Sequence, residues 1–211
     1  MDQAYAIIDD FLSPREHGDL WDAFQHSTTS PSAAREWNRV YQLTSGEEPV
    51  NSTFAARDLT LRDGTGDDES GPPAQRVFIE KLLALMTSNT PPLSFDPWTG
   101  FSSSAWTYPS GTGLEWHSDT GWLAGYIYYM HPTWRASWGG ELLVATDGAP
   151  SSATRVESVC ETGGVFIYPR PNRLVLLRGG TLHCIKKVEN AAASAARTSV
   201  SGFFFDTPGA G

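Results

Sequence analysis

Tyr108-Pro-Ser-Gly-Thr-Gly-Leu-Glu-Trp-His117-Ser-Asp119 places an imidazole and a carboxylate two residues apart at the end of an apolar, aromatic run. In a β-strand the side chains at i and i+2 leave the same face, so His117 and Asp119 can close on one ion together. A second imidazole, His183, stands in Leu174-Val-Leu-Leu-Arg-Gly-Gly-Thr-Leu-His183, another β-rich segment able to bring the chain back to the same place. Two imidazoles and one carboxylate that leave the other coordination positions open are the ligand set of a non-haem Fe(II) centre. With five histidines and 24 acidic residues, one H-x-[DE] pair arises by chance about half the time, so the dipeptide alone decides nothing. Its setting carries more weight: a glycine turn leads in, Leu114 and Trp116 alternate with the pair, and the β-forming run Trp122 to Met130 follows.

A candidate for an anionic partner lies near the C-terminus, where Arg197, Ser199, Ser201 and Phe203 share one face of a strand by the period of two. A guanidinium flanked by hydroxyls inside a barrel is a good clamp for a carboxylate. Arg173 and Arg178 compete for that role, and Arg197 could instead pair with Asp206 or Glu189 in solvent.

The elements that must position these residues fall into two groups. Ala6 to Ile8 reads as an opening strand, and Ser13-Pro14-Arg-Glu16 as a helix start with Ser13 as N-cap, Pro14 in the first turn and Glu16 closing a capping box. Leu20, Trp21 and Phe24 continue it as one apolar stripe, and a second helix follows Pro72-Pro73 with Phe78, Leu82, Leu85 and Met86 at helical spacing. Between them Ser45 to Gly71 is polar and turn-rich and reads as a loop, either a substrate lid or a plain connector. From Ser103 onward eight short strands are expected: Ala105 to Tyr108, Leu114 to Asp119, Trp122 to Met130, Glu141 to Ala145, Val165 to Tyr168, Leu174 to Leu177, Leu182 to Val188 and Thr198 to Phe205. That number suits a double-sheet jelly roll holding a small ligand between its sheets, with the helices as a buttress.

The 211 residues and 40% hydrophobic content fit one mainly β domain over 1–211, with 1–100 as helical support and loop and 101–206 as the core barrel. A net charge of -9 offers no cationic face for phosphates and argues against a nucleic-acid substrate. Neither a signal peptide nor a membrane span is visible, which makes a cytoplasmic location the expectation, and Cys160 and Cys184 are too few for a disulfide framework. His17, His26 and His131 are expected to be non-ligands. Among eight tryptophans, Trp122 is the best candidate to face a substrate because it closely follows Asp119.

Tyr108-x-x-Gly111-x-x-Leu114-x-x-His117-x-Asp119, Tyr126-Ile-Tyr-Tyr129-Met, Trp134, Gly139-Gly140-Glu-Leu, His183 and Arg197-x-Ser-x-x-Gly-Phe-Phe-Phe-Asp206 together resemble the 2-oxoglutarate and Fe(II)-dependent dioxygenases of the prolyl 4-hydroxylase type. The resemblance implies a double-stranded β-helix, cupin-like in outline, in which His117, Asp119 and His183 bind Fe(II) and Arg197 holds the distal carboxylate of 2-oxoglutarate. It further implies that Tyr108 and Tyr129 contact the co-substrate and that Ser201 assists the arginine. Dioxygen would be the second co-substrate, with ascorbate as a supporting reductant, and the target a small molecule, amino acid or peptidyl residue. Three departures stand out: the turn after Asp119 is short and lacks an arginine before Trp122, His131 occupies a position where the family often has asparagine, and Ala191 to Ala196 lengthens the link to Arg197. A non-redox alternative, a cupin-like sugar-binding protein or metal-dependent isomerase, uses a similar barrel.

Overall fold

The computed structural model describes residues 3–26, 30–31, 50–52, 59–60, 73–145 and 163–206. Along the chain run β1 (Tyr5–Ile8), α1 (Pro14–Gln25), β2 (Ser30–Pro31), β3 (Val50–Ser52), β4 (Leu59–Thr60), α2 (Pro73–Met86), β5 (Gly100–Phe101) and β6 (Ser104–Tyr108). They are followed by β7 (Leu114–Ser118), β8 (Ala124–Tyr129), β9 (Leu142–Ala145), β10 (Gly164–Ile167), β11 (Leu174–Arg178), β12 (Leu182–Ile185) and β13 (Arg197–Phe205). The eight strands expected after Ser103 are β6 to β13. Within Ser45 to Gly71, expected to be all loop, β3 and β4 are short strands; the rest of that stretch, like Cys160, lies outside the described residues.

Two antiparallel sheets face each other as a jelly roll. The larger has the order β1-β11-β8-β13-β6-β3-β2, with β5 on β13 and β4 on β5; the smaller has the order β10-β9-β12-β7. On β13 the period of two divides the side chains cleanly. Val200 and Phe204 join the outer core with the helices, whereas Arg197, Ser199, Ser201 and Phe203 take the face between the sheets.

The outer core packs Leu20 and Phe24 of α1 and Phe78, Leu82 and Met86 of α2 on Tyr126, Tyr128, Leu174, Leu176, Val200 and Phe204. Burial of each such side chain contributes about 1.5–3 kcal/mol, which fixes the sheet against its buttress. The capping box of α1 is formed: the Glu16 amide donates to Ser13 Oγ at 3.3 Å and the Ser13 amide to Glu16 Oε2 at 2.8 Å. Glu16 also accepts from Lys81 Nζ of α2 at 2.7 Å, and this charge-assisted bond with the Ser13 contacts holds its carboxyl well below the usual range, at about 2.

Two strands are markedly shorter than expected, each for a local reason. Gly121 at φ +99° turns the chain, so β8 begins at Ala124 rather than Trp122. β12 stops at Ile185 because Val188 leaves the ladder, bridging to Gly139 and exchanging bonds with Gly111 and Thr112.

Asn172 pins the entry to α1. Its Nδ2 donates to the Leu12 carbonyl at 2.7 Å, while its Oδ1 accepts from the Leu12 amide and the Tyr128 hydroxyl, both at 2.9 Å. At φ 60° it also occupies the left-handed region, which asparagine tolerates better than alanine. Asn172→Ala should therefore destabilise the fold by about 2–4 kcal/mol in urea titration. Asn172→Gly, which relieves the backbone but not the lost bonds, should remain destabilised, and wild-type stability in either variant would refute this role.

Candidate metal and anion site

His117 and His183 face each other because β12 pairs antiparallel with β7 in the register His183↔His117, with Leu182↔Ser118 beside it. Strict alternation along β7 would send Leu114 and His117 to opposite faces, yet both point inward. The register shift between His183 and Ile185, where Ile185 pairs with Leu114, resolves this. Three residue steps on β7 match two on β12, so a β-bulge at Glu115-Trp116 resets the phase and aims His117 at the site.

Asp119 completes the cluster just beyond the end of β7. Its Oδ1 lies 3.9 Å from His117 Nε2 and its Oδ2 3.5 Å from His183 Nε2. One ligand atom from each of the three residues lies within 4.8 Å of the others. Each imidazole is oriented by its far nitrogen: Nδ1 of His117 donates to the Glu115 carbonyl at 2.7 Å, and Nδ1 of His183 to the Thr181 carbonyl at 2.8 Å. A carbonyl only accepts, so each Nδ1 carries a proton and each Nε2 is turned toward Asp119. Burial, helped by the neighbouring His117, pushes His183 down to about 3 and keeps it neutral, while burial raises the Asp119 carboxyl against the pull of His117. Two imidazole nitrogens and a carboxylate converging in a buried recess fit a divalent transition-metal ion.

On the facing sheet Arg197 is 0% exposed. Its Nε donates to the Gly140 carbonyl at 3.0 Å, and its terminal nitrogens reach Ser199 Oγ at 3.5 Å and the Tyr129 hydroxyl at 3.4 Å. The guanidinium carbon lies 5.1 Å from the Tyr108 ring centre and 4.9 Å from that of Tyr129, a sandwich of two aromatic faces. No carboxylate among the described residues pairs with it, so the expected alternative of a solvent pair with Asp206 or Glu189 does not occur. Burial pushes the Tyr108 phenol up to about 12 and keeps it protonated.

The two competing arginines are committed elsewhere. Arg173 forms a two-point bond with Asp9, at 2.6 and 3.0 Å, and Arg178 is turned outward to the Gln3 carbonyl at 3.3 Å. Ser201, expected to assist Arg197, lies farther along β13 opposite Ser104; the hydroxyl within reach of the guanidinium belongs to Ser199. Trp122, three residues after Asp119, is 39% exposed and stacks on Phe203 at 5.0 Å between centres.

Gly140 supplies a carbonyl that sequence reasoning did not single out. The signal was present in Gly139-Gly140: both have positive φ, 69° and 73°, and a Cβ on Gly140 would meet Arg197 Cδ at 3.0 Å. The carbonyls of Glu115 and Thr181 had no such signal, since every residue carries one.

Residues 103–205 match the family model described as the 2OG-Fe(II) oxygenase superfamily. Among solved structures, the chain is similar to a prolyl hydroxylase from Trichoplax adhaerens in complex with a hypoxia inducible factor oxygen degradation domain peptide fragment, at 19% identity, TM-score 0.65, over 96% of this chain and 84% of that one. A prolyl-4-hydroxylase from Pseudomonas putida matches at 13% identity and TM-score 0.55 over 97% and 93% of the two chains. HygX from Streptomyces hygroscopicus, solved with nickel, 2-oxoglutarate and hygromycin B, matches at 12% identity and TM-score 0.60 over 97% and 84%. Among curated protein sequences none matches. Residues 103–205, which carry His117, Asp119, His183 and Arg197, thus match 2OG-Fe(II) oxygenases, and the fold is prolyl 4-hydroxylase-like; the match marks an enzyme of the dioxygenase class with Fe(II) and 2-oxoglutarate as cofactors. No helix among the described residues is long and apolar enough to cross a membrane.

The buried histidines make metal-free stability depend on pH. Burial holds His183 at about 3 and His131 at about 4, against 6.5 for the unfolded side chain. The unfolded chain thus binds more protons between those values, so stability is full above about pH 6.5 and falls as pH drops toward the folded values. The slope should reach about 1.4 kcal/mol per pH unit for each histidine, read as a lower urea midpoint at pH 5 than at pH 7.5. An unchanged midpoint would contradict burial of neutral imidazoles.

Proposed function

We propose that the protein hydroxylates an unactivated C–H bond of a prolyl residue, amino acid or related small metabolite, converting 2-oxoglutarate to succinate and carbon dioxide. The observation that carries this reading is Arg197: a fully buried cation with no carboxylate partner among the described residues, facing the His117, Asp119 and His183 cluster from the opposite sheet. In this reading His117 Nε2, Asp119 and His183 Nε2 hold Fe(II), and Arg197 holds the distal carboxylate of 2-oxoglutarate. When bound, Fe(II) and 2-oxoglutarate supply with dioxygen an oxidative decarboxylation in which one oxygen atom enters succinate and the other the product.

The residues of the chain supply position and dryness. Arg197 neutralises the distal carboxylate in a pocket where water is excluded, which strengthens the attraction. Tyr108 and Tyr129 clamp the guanidinium between their rings, and the protonated Tyr108 phenol can donate a hydrogen bond to the co-substrate. Asp119 fills the carboxylate position, so a halide has no place there and hydroxylation is favoured over halogenation. Trp122, half-exposed beside Asp119, faces the substrate and offers an aromatic wall to a small apolar ring. The substrate is an amino acid, peptidyl residue or other small molecule rather than a nucleic acid, in keeping with the net charge of -9.

Purified protein with Fe(II), ascorbate and 2-oxoglutarate in air should release succinate, and Asp119→Ala should reduce release to background. Product mass analysis over amino acids, proline-containing peptides and cell extract should find a gain of one oxygen atom. Succinate no higher than in the Asp119→Ala control would favour a non-redox binding protein or isomerase.

Arg197→Ala should weaken 2-oxoglutarate binding by about 30-fold or more, since it strips a buried anion of its partner, while leaving Fe(II) affinity intact. Calorimetric titration checks both, and unchanged 2-oxoglutarate affinity would remove Arg197 from this role.

A further inference from the structure

His131 follows the strand that carries Tyr129; it is 2% exposed, and both its ring nitrogens are engaged. The Thr198 amide donates to Nδ1 at 3.2 Å, and Nε2 donates to the Pro169 carbonyl at 2.7 Å. The Thr198 carbonyl also lies 3.1 Å from Nδ1, but it already accepts from the Met130 amide at 3.0 Å. An amide pointing at one nitrogen and an accepting carbonyl at the other select the neutral tautomer protonated on Nε2.

Thr198 is the residue next to Arg197, and its amide is buried where the backbone ladder between β8 and β13 runs out. That ladder pairs as far as Ser199↔Tyr129. Beyond it the imidazole stands in for the next backbone acceptor. Without that acceptor the Thr198 amide would be a buried orphan, a cost that the strand could escape only by shifting.

A second contact runs from the same ring to the other end of the arginine. Trp134 packs on His131 at 4.7 Å between ring centres and donates Nε1 to the Gly139 carbonyl at 2.9 Å. The adjoining Gly140 carbonyl accepts from Arg197 Nε at 3.0 Å. One imidazole therefore braces both the backbone from which Arg197 springs and the loop on which its Nε rests.

We infer that His131 is a positioning residue for Arg197, fixing the depth at which the guanidinium enters the site and with it the affinity for 2-oxoglutarate. The inference rests on the reading of Arg197 as the anchor of the distal carboxylate. His131 touches none of His117, Asp119 and His183, which belong to the other sheet. Burial holds its ring at about 4, and the Arg197 guanidinium nearby also opposes a second proton. It therefore keeps its Nδ1 lone pair for Thr198 at neutral pH.

The test compares His131→Asn, His131→Gln and His131→Leu in the full chain, titrating Mn(II) and then 2-oxoglutarate, with succinate release read in parallel under Fe(II). An asparagine places a neutral acceptor near the former Nδ1, whereas glutamine reaches toward the former Nε2 and leucine restores neither bond. The expected result is Mn(II) affinity unchanged in all three. The 2-oxoglutarate dissociation constant and KM should be within about threefold of wild type for asparagine and about tenfold or more higher for glutamine and leucine, with kcat less affected than KM. Wild-type 2-oxoglutarate affinity in the leucine variant, or parallel loss of Mn(II) and 2-oxoglutarate binding, would overturn the inference. Should the leucine variant not fold, equal affinities in the asparagine and glutamine variants would overturn it instead. Arg197→Ala separates the layers: if that variant binds 2-oxoglutarate normally, the anchor reading fails, whatever the His131 variants do.

Discussion

Everything at the site depends on one register, the antiparallel pairing that sets His183 of β12 opposite His117 of β7. Slipping that pairing by one residue would send one imidazole to the outer face and leave Cys184 or Leu182 in its place. The bulge at Glu115-Trp116 is what allows this register to coexist with a filled barrel, because Leu114 must also point inward to pack with Val144 and Ile185. Core packing and metal-site geometry make conflicting demands on the phase of a single strand. One extra residue in that strand satisfies both.

The interior that results holds unbalanced charge on both of its walls. On the smaller sheet Asp119 is a desolvated carboxylate beside two imidazoles whose Nδ1 protons are turned away from it to backbone carbonyls. On the larger sheet Arg197 is a desolvated guanidinium whose partners among the described residues are carbonyl, hydroxyl and aromatic groups. Such groups cost stability when they are buried without counterions, and folds retain them where a ligand completes the pairing. A divalent cation answers the first and an anion the second, and a dicarboxylate that chelates the metal through one end can answer both. The outer core of α1 and α2 on Tyr126, Tyr128 and Phe204 supplies the burial that offsets these costs.

Much of this was legible in the sequence because it follows from local periodicity. The period of two placed Arg197, Ser199 and Phe203 on one face, and the Ser13-Pro14-Arg-Glu16 pattern located the start of α1 with its capping box. Family-like spacing then joined segments far apart in the chain. What escaped was information carried by backbone or by tertiary context. The bulge at Glu115-Trp116 looks like ordinary strand in sequence, and the carbonyls that set the tautomers of His117 and His183 have no residue type to betray them. Assigning the hydroxyl beside Arg197 to Ser201 rather than Ser199 is a further case, since both share the face and only distance along β13 separates them. The roles of His131 and Asn172 were hidden for the same reason: their partners, Thr198, Pro169, Leu12 and Tyr128, come from elsewhere in the chain.

The central claim, that one ion is held by three side chains contributed by β7, its exit and β12, is tested most directly by diffraction at the iron absorption edge from crystals grown anaerobically with Fe(II). The account predicts a single anomalous peak bonded to His117 Nε2, an Asp119 carboxylate oxygen and His183 Nε2, with the Nδ1 bonds to Glu115 and Thr181 retained. A peak held by other residues, or no ordered peak between those three groups, would contradict it.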